Sequence, residues 1–88
     1  MSELKDPILK ILNKFYEPDS MLELRFKRYD LAIQTDAKGR AILLFMGEKD
    51  PVTGKIKGVR YARRLVEDPD GKLVKDHWDN KGKASAQL

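Results

Sequence analysis

Arg40-Ala41-Ile42-Leu43-Leu44-Phe45-Met46 is the stretch whose reading decides the fold. It is apolar after its first residue and bounded by turn chemistry, Asp36-Ala-Lys-Gly39 before it and Asp50-Pro-Val-Thr-Gly54 after it. A short apolar run between such punctuators reads as a central β-strand. The question is then what pairs with it, and which side chains share a face.

On its N-terminal side, Leu22 to Thr35 alternates as a strand does. Leu22, Leu24 and Phe26 are apolar at even positions, then Tyr29, Leu31 and Ile33 at odd ones. A one-residue slip in parity is what a β-bulge at Lys27-Arg28 produces. The sequence therefore predicts one bent strand there.

Turn residues supply the registers. If Asp36 and Gly39 close a two-residue loop, Ile33 faces Ile42, Leu31 faces Leu44 and Tyr29 faces Met46. The Asp50–Gly54 turn pairs Asp50 with Lys55, which sets Met46 against Val59 and Leu44 against Tyr61. The turn Asp68-Pro-Asp-Gly71 sets Leu65 against Val74, Arg63 against Asp76, Tyr61 against Trp78 and Arg60 against Asp79. These choices gather Tyr29, Leu31, Ile33, Ile42, Leu44, Met46, Val59, Tyr61, Leu65, Val74 and Trp78 on one face. The two charged intruders, Arg63 and Asp76, become each other's partners.

Something must cover that face. Asp6 and Pro7 start a helix, as N-cap and first helical residue. Ile8, Leu9, Ile11, Leu12, Phe15 and Tyr16 recur at helical spacing up to the stop before Pro18. The fold class predicted is α+β: an N-terminal amphipathic helix packed on one face of a four-stranded antiparallel meander, α-β-β-β-β. Residues 1–79 read as a single small domain and 80–88 as a disordered tail.

Composition bounds what such a domain can be. In 88 residues there are no cysteines, which removes thiolate zinc sites, disulfides and cysteine nucleophiles. Charged residues make up 36% of the chain, as expected of a soluble protein. No apolar run approaches the roughly 20 residues that span a bilayer. The first residues lack the layout of a secretory signal. A cytoplasmic location is the expectation. The net charge of +4 is concentrated in the middle, where residues 25–64 hold eleven basic and four acidic side chains. An anionic partner would be sought there, although Lys and Arg also serve simply to solvate strand edges.

Candidate function falls on the second face of the sheet, away from the helix. It is expected to carry Ala41, Leu43 and Phe45 at its centre, with Ala32 and Ala62 beside them. Arg28, Arg60, Arg64, Lys75 and His77 lie around this platform. A protein partner or second copy stacking on Leu43 and Phe45 is the first reading, since an apolar patch with a polar rim marks an interface. Single-stranded nucleic acid stacking a base on Phe45, with the cations on phosphate, is the alternative. It is weakened by a lone aromatic and by Asp30 and Asp79 in the Phe45–Arg60 row. A third reading has the Leu22–Phe26 arm curling over the patch. Catalysis is not expected. His77 is the only histidine, with Asp76 on the other face and Asp79 two residues along, too far for a short bond in an ideal strand. Gly54-Lys55 lacks the rest of a phosphate loop, and Asp68–Gly71 is a turn rather than a calcium loop. No metal, cofactor or small-molecule substrate is implied.

Overall fold

The computed structural model describes Leu4 and residues 6–87. Its elements are a helix, α1 (Asp6–Leu12), and five strands: β1 (Met21–Phe26), β2 (Tyr29–Thr35), β3 (Ala41–Lys49), β4 (Lys55–Glu67) and β5 (Leu73–Gln87). They form one antiparallel meander in sequence order, β1 to β5. The helix lies against one face, and none among the described residues is long and apolar enough to cross a membrane.

The fifth strand comes from the parity slip. Lys27 and Arg28 are not a bulge but the loop of a two-residue hairpin, with Lys27 in the left-handed region at φ 54°. Leu22 then faces Ile33, Leu24 faces Leu31 and Phe26 faces Tyr29, so both halves put their apolar residues on the helix side. A hairpin and a bulge leave the same trace in an alternating sequence. The arm expected to curl over the second face is instead an edge strand of the same sheet.

The helix is shorter than its periodicity. Tyr16 Oη donates to the carbonyl of Ile11 at 2.7 Å, and Arg63 Nη1 donates to that of Leu12 at 3.2 Å. These side chains satisfy carbonyls that a further turn would have used. Beyond the helix, Phe15 bridges to Arg40 and is 72% exposed, and the Tyr16 amide donates to Gly39. Gly39 must be glycine for two reasons. Its φ is 81°, and a Cβ there would strike the carbonyl of Tyr16.

The β3–β4 register is the one the Asp50 turn dictates, with Leu44 opposite Tyr61 and Met46 opposite Val59. The other two registers are displaced by two residues. Ile33 faces Leu44 and Leu31 faces Met46, while Arg63 faces Trp78 and Leu65 faces Asp76. In each case the loop holds three residues, closed by Asp36 with Arg40 and by Asp68 with Lys72. A bulged residue then follows: Ile42 has no counterpart in β2, and Val74 has none in β4. Two residues of slip preserve face parity, so most of the expected core survives. Ile42 and Val74 at the bulges and Leu65 near the sheet end stay outside it, Val74 being 60% exposed. Ala41 changes face in the other direction: it lies before the bulge, opposite Thr35, and is buried on the helix side. Residues 80–87, expected as a tail, continue β5 and pair with Lys55–Tyr61.

The main core holds Ile8, Leu12, Leu31, Ile33, Ala41, Leu44 and Tyr61, flanked by Leu22, Leu24, Phe26, Met46, Val59 and Trp78. A second, smaller cluster joins Ala32, Ile56 and Phe45 on the other side. In a flat sheet, with strands ~4.8 Å apart and ~3.4 Å per residue, Ile56 would lie roughly 16 Å from Ala32. Their shared cluster requires the sheet to coil. Gly47 and Gly58 face each other at the coil, and a Cβ on either would enter the backbone of the opposite strand.

Candidate binding face

The register now fixes which side chains occupy the second face. Ala32, Phe45 and Arg60 form one row. Gln34, Leu43, Ala62 and Asp79 form the next, followed by Arg64 with His77 and Val66 with Lys75. Of the predicted site residues, Leu43, Phe45, Arg60, Arg64, Lys75 and His77 are brought to this face. Arg28 is not. It sits in the β1–β2 loop, with its guanidinium 5.4 Å from the ring of Tyr29 and Nη2 donating to the phenol oxygen at 3.4 Å. That hydrogen bond raises its pKa above the ordinary arginine value.

The platform is neither open nor covered by β1. The end of the β3–β4 hairpin curls across it. Ile56 is fully buried against Ala32 and Phe45, and Leu43 and Phe45 are half-buried. Two contacts hold the curl in place: the Lys49 amide donates to Asp30 Oδ2 at 2.8 Å, and Lys49 Nζ reaches Glu23 on β1 at 2.7 Å. Sequence reasoning missed Ile56 and Lys49. The signal was present in Gly47 and Gly58, which the Asp50 register places opposite one another.

Electrostatics divides the face sharply. The carboxylates are spoken for: Glu23 by Lys49, Asp30 by Arg25 at 3.8 Å and by the Lys49 amide, and Asp79 by His77. Asp30 and Asp79 also lie one row away from Phe45–Arg60, opposite Gly47 and Ala62. Arg60, Arg64 and Lys75 are exposed, and among the described residues none of the three sits in an ion pair. On the helix face, by contrast, Arg40 and Arg63 are each locked to carboxylates.

His77 Nε2 and Asp79 Oδ1 are 2.5 Å apart, closer than an ideal strand suggested. The two side chains lean together, and both are about half exposed, at 52% and 42%. No group of three His, Cys, Asp or Glu side chains suited to a metal occurs among the described residues. A shallow groove of about 600 Å³ runs beside Gly58, between Lys57, Val59, Lys83 and Ala84. No family model, curated protein or solved structure matches this chain.

Proposed function

We propose that this chain is a non-enzymatic binding module whose second face engages an acidic segment of a protein partner. The observation that carries the reading is three cations without ion pairs on one face, Arg60 beside half-buried Phe45, then Arg64 and Lys75 further along beyond half-buried Leu43. Arg25, Arg40 and Arg63, by contrast, each reach a carboxylate. Cations left exposed beside apolar surface suit an anionic partner that also contributes hydrophobic contact. A cytoplasmic setting belongs to the proposal and rests on the cysteine-free sequence.

The burial of Phe45 against Ile56 favours protein over single-stranded nucleic acid, because base stacking needs an uncovered ring. Titration of a fluorescent glutamate-rich peptide and of an oligothymidylate at low and high salt separates the two. The peptide is expected to bind, more tightly at low salt, and to be lost in Arg60→Glu/Arg64→Glu. Preferential binding of the oligonucleotide, with a steep salt dependence, would replace the reading. A dimer seen by light scattering and dissolved by Phe45→Glu would assign the face to a second copy.

A further inference from the structure

β5 is the outermost strand of the meander, and its fifteen residues are paired on one side only. From Lys75 to Asn80 its ladder with β4 is unbroken, between the bulge at Val74 and the irregularity near Gly82. An unpaired strand edge has one natural complement, an extended chain that supplies its own backbone donors and acceptors. The sheet has a second edge at β1, but the two differ in their charges. On β1, Glu23 and Arg25 are held by Lys49 and Asp30. On β5, Lys75 has no ion pair among the described residues, and Arg64 beside His77 has none either.

We infer that β5 takes up the partner's acidic segment as a sixth strand of the sheet. This rests on the binding-module reading above and adds its mode. Alternation along β5 specifies the segment. Its second-face positions lie beside Lys75, His77 and Asp79, with Arg64 one strand further in behind His77. Asp79 is taken up by His77, and the positions nearest Lys75 and Arg64 call for Glu or Asp. Its helix-face positions lie beside Leu73, which is 41% exposed, Asp76, whose charge is held by Arg63, and half-buried Trp78, and those at Leu73 and Trp78 call for apolar side chains. The occupant is therefore an extended segment alternating acidic and apolar residues. A second copy of β5 is a poorer complement, since residues 72–83 contain four lysines against two aspartates. The same lysines that deter indiscriminate edge pairing select an acidic strand.

The test is amide hydrogen exchange by NMR on the full chain, with a synthetic peptide alternating Glu and Val. Exchange of solvent-directed amides in Lys75–Asn80 is expected to slow on binding. A peptide N-methylated at alternate residues should lose that protection, because its side chains remain while its donors are gone. The double change Arg64→Glu/Lys75→Glu should weaken binding roughly tenfold or more, and the Gln pair at these exposed positions less. Perturbation confined to Leu43, Phe45 and Arg60, with β5 exchange unchanged, would overturn strand addition while leaving the acidic-partner reading intact. Absence of binding at low salt, equal binding of a Lys–Val peptide, or β5 protection in a peptide-free dimer would each overturn the inference.

Discussion

The guanidinium of Arg63 donates to both oxygens of Asp76 at 2.6 and 2.7 Å, to the carbonyls of Leu12 and Ala41, and to Asn13 Oδ1. It also lies 5.6 Å from the Trp78 ring, with its side chain 7% exposed. One residue thus ties the helix end, β3 and β5 to β4. Arg63→Ala would leave Asp76 and two carbonyls without their donor and is expected to lower unfolding free energy by about 3 kcal/mol in denaturant titration. Arg63→Lys should recover only a minor part, because an ammonium cannot reproduce the planar fork. The Arg63–Asp76 pairing was legible as two misplaced charges. Its reach to the helix was not, since nothing local in the sequence marks Leu12 as its neighbour.

Carboxylates set the acid limit. Hydrogen bonds from Arg63 hold Asp76 below its ordinary range, and those from Lys38, then Arg40, do the same for Glu67. Burial alone would raise Asp36, but the amides of Arg40 and Lys38 and the Arg40 guanidinium outweigh it and lower its pKa. Depressed folded-state values mean stability that is present above the unfolded carboxylate range, around pH 4, and lost as pH falls through the folded values. Denaturant midpoints should be flat from neutral pH down to about 5 and drop below it. Asp76→Asn should be less stable at neutral pH and show a shallower acid fall.

Among the elements, the hairpins explain what the sequence conceals. Asp36-Ala-Lys-Gly-Arg40 and Asp68-Pro-Asp-Gly-Lys72 are the same device. In both, the aspartate Oδ1 accepts the amides two and four residues on, and the glycine takes φ near 80°. Glycine three residues after aspartate gives a three-residue loop, whereas the four-residue spacing in Asp50–Gly54 gives the longer loop that was read correctly. The faces were legible because a slip of two residues is silent in alternation. The bulges at Ile42 and Val74 were not, since each follows another apolar residue, Ala41 or Leu73, and either of the pair could equally be taken as the core-facing one. At the β1–β2 turn, Lys27 pays for a left-handed backbone without being glycine. Lys27→Gly is expected to be neutral or to stabilise by up to ~1 kcal/mol, and Lys27→Val to destabilise by about 1–2 kcal/mol, read from thermal midpoints.

At the scale of the whole molecule, the coil at Gly47 and Gly58 turns a flat two-faced sheet into one with a second small core. Gly47→Ala should cost about 2 kcal/mol by forcing apart the β3 and β4 backbones. Gly54→Ala at the exposed tip has open space and only its φ of 76° to strain, for about 1 kcal/mol. The candidate face was legible as residue types: six of its seven members share it. Its shape was hidden, because Ile56 reaches Ala32 only through curvature that no pairwise register expresses. Of that face, Arg60, Arg64 and Lys75 remain exposed, together with the β5 edge, and on these the functional account stands. The most direct measurement is a charge swap. Calorimetric titration should find that the wild-type chain binds a Glu–Val peptide, and that Arg64→Glu/Lys75→Glu rejects it and accepts a Lys–Val peptide instead. A reversed chain that keeps its preference for the Glu–Val peptide would contradict the account.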